Sequence, residues 1–175
     1  MLYRKVFGFL LICLCLSQCG FKPLLSEENG DIVQAFSEID IPVIPNRDGQ
    51  IMRNELKKMF YVKGASAVKR YKLKVTTSSS DRNLSYLGDQ TAGRKSVTVT
   101  ANYQLIDLRS NEVLTSGTVS RQGFYTVSTS NSFGTIISAE RVKMDAVLMA
   151  ARDLRIQIAT YLSKHPEALF SSDNV

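Results

Sequence analysis

The 175-residue chain has no tryptophan, one histidine and three cysteines, and Cys13, Cys15 and Cys19 all lie near its start. A disulfide-stabilised domain and a cysteine-based zinc site are therefore excluded for the rest of the chain. His165 alone cannot form a histidine metal cluster or a histidine-based catalytic triad. The sequence contains no glycine-rich phosphate loop, and no cofactor is expected.

Residues 1–18 have the organisation of a signal peptide. Arg4 and Lys5 precede an unbroken apolar run, Val6 to Leu16, of 11 residues. This run is about half of the ~20 residues that a membrane-spanning helix needs. A basic start, a short apolar segment and a polar break are typical of a secretory signal peptide.

The polar break, Leu16-Ser17-Gln18-Cys19, is similar to a bacterial lipobox. Gln18 departs from the small residue usual before the cysteine. The match predicts that Cys19 is the site of lipid attachment, which would anchor the protein to a membrane. Several acyl chains give a stable anchor, because each buried CH₂ contributes about 0.8 kcal/mol.

Four segments are predicted: a lipoprotein signal peptide (1–18), a lipidated tether (19–30), a single α+β domain (31–165) and a flexible tail (166–175). Removal of the signal peptide takes away Arg4 and Lys5. The 22 basic residues then become 20 against 16 acidic residues, which lowers the net charge from +6 to +4.

Hydrophobic periodicity predicts four strands and two helices. The strands are centred on Ile39–Val43, Tyr71–Val75, Val97–Leu105 and Val113–Tyr125. A polar loop is expected over Thr126–Thr135.

The first helix is predicted after Asp48 as its N-cap, with Met52, Leu56, Met59 and Phe60 on its apolar face and Gly64 at its end. The second follows the 3.6-residue period from Met144 to Leu162. The order β-α-β-β-β-α predicts an α+β fold in which two helices pack on one face of a four-stranded mixed sheet.

Basic residues are concentrated between Lys57 and Lys74, a stretch with seven lysines and arginines and no acid. In it, Arg70, Lys72 and Lys74 are predicted to share one face of a strand. One interpretation is a solvated sheet face whose lysines discourage aggregation. The other is a surface that binds a polyanion, which for a secreted lipoprotein would be lipid phosphate. Nucleic acid is not expected as a partner outside the cytoplasm.

Two further patterns have a structural and a functional interpretation. The serines and threonines of Val113–Thr126 suit either a hydrated edge strand or a surface packed inside a barrel with a polar lumen. Ser66 and Lys69 have the spacing of some acyl-enzymes, but the companion motifs are absent. The sequence therefore indicates a protein that is not an enzyme.

The chain resembles the LptE family of lipopolysaccharide-assembly lipoproteins. The resemblance lies in the start Cys19-Gly20-Phe21-Lys22-Pro23-Leu24, in Asn131-Ser132-Phe133, and in the helix through Ala150-Ala151-Arg152 to Tyr161-Leu162. It implies a non-enzymatic protein, anchored to the inner leaflet of the outer membrane and facing the periplasm, that sits as a plug in the lumen of the β-barrel LptD. It also implies help in lipopolysaccharide delivery to the cell surface.

Lipopolysaccharide binding is the further expectation from the family, and Arg70, Lys72 and Lys74 are the predicted contacts. A second hypothesis is an auxiliary lipoprotein of a lipid-trafficking ABC transporter, which would also combine an anchored cysteine with a compact α+β domain. A periplasmic hydrolase is a third, for which the chain offers few candidate groups.

Overall fold

The computed structural model describes residues 30–86, 92–128 and 130–166. The predicted signal peptide, Cys19, the tether up to residue 29 and the tail from residue 167 lie outside the described residues. In chain order, the elements are α1 (Gly30–Ser37), β1 (Ile39–Asp40), α2 (Asn46–Phe60), β2 (Tyr71–Tyr86), β3 (Ala92–Asp107), β4 (Val113–Ser128) and α3 (Ser132–Lys164).

The four described strands form one sheet in the order β1-β2-β3-β4. Strand β1 runs parallel to β2, with Ile39 opposite Tyr71, whereas β2–β3 and β3–β4 are antiparallel hairpins. Because β1 pairs with only two residues of β2, most of β2 and all of β4 form the outer edges of the described sheet. The predicted α+β fold with a four-stranded mixed sheet is confirmed.

The predicted number of helices and their order are wrong, because three helices lie in the described residues and the order is α-β-α-β-β-β-α. The missed helix is α1, which has only eight residues. Its Ile32, Ala35 and Phe36 are buried at helical spacing, and the ring of Phe36 lies 4.4 Å from that of Phe60 in α2. So short a helix depends on this packing for its stability, since isolated helices of its length are marginal in water.

The first strand is shorter than its alternating pattern predicts. Ile39 and Ile41 are buried, but Val43 is 69% exposed and the strand ends at Asp40. Pro42 and Pro45 have no N–H to donate to a neighbouring strand. Instead, Nε of Arg53 lies 3.0 Å from the carbonyl oxygens of both Ile41 and Pro42 and donates to them, which fixes the irregular segment against α2.

Helix α2 begins at Asn46, and its N-cap is Pro45 with no side-chain hydrogen bond. Asp48 is therefore inside the first turn and not the predicted cap. There its carboxylate lies 3.8 Å from Nζ of Lys143 in α3, and it also suits the positive end of the helix dipole. Met52, Leu56 and Phe60 are buried as predicted, and Met59 is partly buried.

The predicted loop Thr126–Thr135 is largely regular structure. Strand β4 continues to Ser128, and α3 begins at Ser132 with the side chain of Asn131 accepting a hydrogen bond from the Gly134 N–H at 2.8 Å. The polar composition of this segment made the end of β4 and the start of α3 read as a loop. Threonines also suit a hydrated edge strand, and asparagine suits a helix N-cap.

Helix α3 has 33 residues, which gives a length of about 50 Å. Its buried stripe begins at Ala146 and ends at Leu162. This stripe packs with α2 on one face of the sheet, against Leu73, Val99, Ala101 and Leu105. The opposite face of the sheet is left open.

Candidate functional site

The open face of the sheet contains two of the three predicted cationic contacts. Lys72 and Lys74 are exposed. Tyr71, Leu73 and Val75, which alternate with them along the strand, are buried against the helices. Arg70 precedes the strand and is only 8% exposed, with its guanidinium carbon 5.2 Å from the centre of the Tyr71 ring. The structure therefore brings the two lysines together and places Arg70 at the edge of the core. Cys19 lies outside the described residues.

Strand register extends this face well beyond the lysines. Paired residues of antiparallel strands share a face, so the face continues through Thr76, Ser78 and Ser80 on β2. On the other two strands it continues through Asn102, Thr100 and Thr98 of β3 and Thr118, Ser120 and Gln122 of β4. Oγ1 of Thr118 donates to Oδ1 of Asn102 at 2.7 Å, and the Thr100 and Ser120 hydroxyl oxygens are 3.3 Å apart. The centre of the face is thus a hydrated array of hydroxyl and amide groups.

Two further cations lie on the same face at its far end. Arg82 pairs with Ser96, and Arg94 pairs with Thr126. The guanidinium carbon of Arg94 lies 5.1 Å from the centre of the Phe124 ring, within the range of a cation–π contact. Sequence reasoning missed both, because it ended the second strand near Val75 and began the third at Val97. Residues 76–82 are polar throughout, so no alternation of apolar and polar side chains marks the first.

Cations outnumber acids on this face. The described residues of the open face include Lys72, Lys74, Arg82 and Arg94, and the one carboxylate among its paired residues is Asp40 of β1, opposite Lys72. Asp81 lies on the other face. Burial raises the pKa of Tyr125 there, and the negative charge of Asp81 raises it further. An excess of cations attracts anionic groups, and the hydroxyl and amide groups between the cations bind polar groups.

A shallow depression of about 420 Å³ lies beside Lys74. It is lined by Lys74, Thr76, Asn102, Gln104, Ser116 and Thr118, with Tyr103 and Gly117 below them. Its lining combines one ammonium group with hydroxyl and amide groups, which suits a phosphate or a sugar better than an apolar molecule.

The Ser66–Lys69 pair does not form a catalytic arrangement. Nζ of Lys69 donates to the Ser37 carbonyl oxygen at 2.7 Å and lies 4.5 Å from the centre of the Tyr61 ring. Oγ of Ser66 accepts a hydrogen bond from the Val68 N–H at 3.2 Å. Burial lowers the pKa of Lys69, and the carboxylates of Asp40 and Glu38 act in the opposite direction. Each side chain therefore has a structural role.

Neither a cluster of metal ligands nor a bilayer-spanning helix occurs in the part of the chain that the structure describes. No group of three or more histidine, cysteine or acidic side chains is found there. None of the described helices combines the length and the hydropathy needed to cross a bilayer.

His165 stacks on Tyr161 with the ring centres 4.3 Å apart, at the end of α3.

The fold is that of a group of bacterial lipoproteins. A crystallised lipoprotein candidate from Caulobacter crescentus CB15 is 17% identical, with a TM-score of 0.61 over 77% of this chain and 97% of that chain. Rare lipoprotein B from Shewanella oneidensis is 11% identical, with a TM-score of 0.56 over 74% and 98%. A minor lipoprotein from Acinetobacter baumannii is 12% identical, with a TM-score of 0.52 over 71% and 92%. At these identities the likeness establishes the fold alone.

Sequence similarity identifies the family. The profile of LptE, the lipopolysaccharide-assembly family, matches residues 36–162. The chain therefore belongs to the LptE family of lipopolysaccharide-assembly lipoproteins, and this family is non-enzymatic. The resemblance seen in the sequence is confirmed. No curated protein matches the chain.

Proposed function

We propose that this protein is an outer-membrane lipoprotein that plugs an LptD-type β-barrel and assists lipopolysaccharide delivery to the cell surface. In this proposal, residues 1–18 are removed, Cys19 carries the acyl chains, and residues 20–29 tether the folded domain. The domain faces the periplasm and the barrel lumen. Family membership supports the assembly role, while the barrel partner, the membrane and the anchor are parts of the proposal.

The observation that carries the proposal is the open face of the sheet. Its centre consists of hydroxyl and amide side chains, and only the opposite face contributes to the core. The lumen of a large outer-membrane barrel is polar and hydrated. A sheet with one polar face can pack there without leaving an apolar surface in water.

The cations of this face are the proposed contacts for lipopolysaccharide phosphates. Lys72 and Lys74 are exposed and are proposed to contact phosphate directly. Arg70 is buried beside Tyr71, so we propose that it supports the start of β2 and adds to the local positive field. Arg82 and Arg94 are proposed to bind anionic groups at the far end.

A charge-matched pair of variants tests the lysines. Lys72→Ser/Lys74→Ser should weaken lipopolysaccharide binding at low salt by on the order of tenfold or more, because each charged hydrogen bond contributes about 1–2 kcal/mol. Arg152→Ser/Lys164→Ser removes the same charge from exposed positions of α3. It should leave the affinity within twofold, since distant surface changes have effects of about 0.5 kcal/mol or less. Equal losses in both variants would show that only net charge matters.

Photo-crosslinking tests the barrel partner. A photoreactive residue at Gln122, on the open face, should form a stoichiometric crosslink to an outer-membrane barrel in intact cells. The same residue at Arg152, on the outer side of α3, provides the comparison. Crosslinks from Gln122 only to an inner-membrane permease or its substrate-binding protein would reject the barrel and favour the ABC-transporter hypothesis.

A further inference from the structure

The loop between α2 and β2 exposes apolar side chains that the core does not use. Val62 is 70% exposed and Val68 is 74% exposed, and both belong to the segment Val62–Val68, here named the base loop. Ala65 and Ala67 are also exposed, as is Lys63, and the loop has no acidic residue. A surface loop normally carries polar side chains, so this combination of small apolar residues and a lysine needs an explanation.

The base loop is fixed by hydrogen bonds to the elements around it. The Ser66 N–H donates to the Ser37 carbonyl oxygen at 3.0 Å, and the Gly64 N–H donates to the Tyr61 carbonyl oxygen at 3.0 Å. Gly64 has a φ angle of 99°, in the region that favours glycine, and it reverses the chain. The same Ser37 carbonyl oxygen also accepts from Nζ of Lys69 at 2.7 Å. The valines are therefore held outward by a defined structure.

The base loop lies beside the point where the described chain begins. A depression of about 510 Å³ has Gly30 and Asp31 of α1 on one side and Lys63 to Ser66 of the base loop on the other. Ten residues, 20–29, separate Gly30 from Cys19. Fully extended, they reach about 35 Å at most. The tether thus allows the base loop to reach a membrane that holds the acyl chains.

The base loop itself carries a positive charge and no negative one. Lys63 is exposed, and Asp31 is the acidic residue that lines the depression. Lys58 is partly neutralised, because its Nζ lies 3.9 Å from Oε2 of Glu55. Lys63 is therefore the main cation of the loop.

From this placement we infer that the base loop is a second membrane contact, in which Val62 and Val68 enter the interface and Lys63 lies among anionic phospholipid headgroups. The inference rests on the proposed anchor at Cys19. Acyl chains attach a protein to a bilayer without orienting it, and a basic and apolar patch provides a second signal. The base loop would orient the domain with this end at the lipid headgroups.

Fluorescence of the lipidated full-length protein tests the inference. Val68→Cys is labelled with an environment-sensitive dye, and Ser80→Cys, on the open face, is the matched control. The proteins are bound to phosphatidylcholine vesicles with and without phosphatidylglycerol, each containing a lipid with a spin label that quenches the dye. Flotation with the vesicles is measured in the same samples.

At position 68 we expect a blue shift and strong quenching that increase with phosphatidylglycerol, and at position 80 we expect neither. Lys63→Ser should shift the docked fraction about fivefold toward the undocked state, which is the effect of one lysine at an anionic surface. If the protein floats with the vesicles but its dye at position 68 is quenched no more than the dye at position 80, this inference is wrong and the proposed anchor stands. An unsubstituted protein that takes up dye at Cys19 and does not float overturns the anchor, and this inference with it.

Discussion

Tyr103 of β3 and Gly117 of β4 face each other across the hairpin, and a methyl group on Gly117 would lie 2.9 Å from the phenol oxygen of Tyr103. The absence of a side chain leaves room for the phenol, whose O–H donates to Oε1 of Gln157 in α3 at 2.8 Å. This hydrogen bond connects the third strand to the long helix through a position that only glycine leaves open.

Tyr103→Phe should lower the free energy of unfolding by about 1 kcal/mol, the usual net contribution of a hydrogen bond. Gly117→Ala should be destabilising in the natural background and less so in Tyr103→Phe, because the phenol oxygen is then absent. Denaturant unfolding of both single variants and the double variant measures this coupling. Strictly additive effects would show that the two positions are independent.

Close approach of α3 to β4 predicts a larger effect at Gly123. A methyl group there would collide with Cγ1 of Val142, so Gly123→Ala should lower the free energy of unfolding by about 1–3 kcal/mol through overpacking. Val142→Ala should recover part of the loss, because it removes the atom that the new methyl group meets. A stable Gly123→Ala protein that the second change does not improve would contradict this packing.

The structural roles of Lys69 and Ser66 predict different outcomes for their replacement. Lys69→Met removes the hydrogen bond to the Ser37 carbonyl oxygen and should lower the unfolding free energy by about 1 kcal/mol. Ser66→Ala removes an exposed turn contact and should change it by about 0.5 kcal/mol or less. Thermal unfolding compares the two. If the natural protein hydrolyses an ester and Ser66→Ala abolishes that activity, Ser66 is instead a catalytic serine.

Buried tyrosines predict a loss of stability at alkaline pH. Burial is the first cause that raises the pKa of Tyr71 and of Tyr103 above the ordinary value of 10.0. The stabilisation linked to the neutral phenols is complete below pH 10 and is lost as the pH rises through the raised pKa values, because the unfolded chain releases these protons first. Tyr71→Phe should flatten the decline, which denaturant unfolding at several pH values measures. Burial lowers the pKa of Lys69 below its ordinary value of 10.5, so this group acts in the opposite direction as the pH rises toward that value.

The sequence was informative where one face of an element enters the core. Leu73 and Val75 of β2, and Leu154, Ile158 and Leu162 of α3, are fully or almost fully buried on the predicted faces. It was uninformative where neither face is apolar. The far half of β2 is rich in serine and threonine, so its strand conformation depends on the partner strand β3 and no local pattern reveals it.

The candidate site was found in part for the same reason. Alternation placed Lys72 and Lys74 on the open face, but it also placed Arg70 there, at the position where the strand has not yet begun. Arg70 lies at the junction with β1 and packs against Tyr71, a tertiary arrangement that period-two reasoning cannot supply. Placing Arg82 and Arg94 on this face requires the length of strands β2 and β3, which is set by pairing across the hairpin.

The short pairing of β1 leaves two long strand edges open in the described sheet. Open edges are templates on which another copy of the chain can add a strand, and folded proteins suppress this reaction with charged and polar side chains. Lys74 and Arg82 border one edge, and Thr118, Ser120 and Gln122 border the other. The polar residues of the open face thus also act as kinetic protection, because they slow fibre-like self-association of the folded chain.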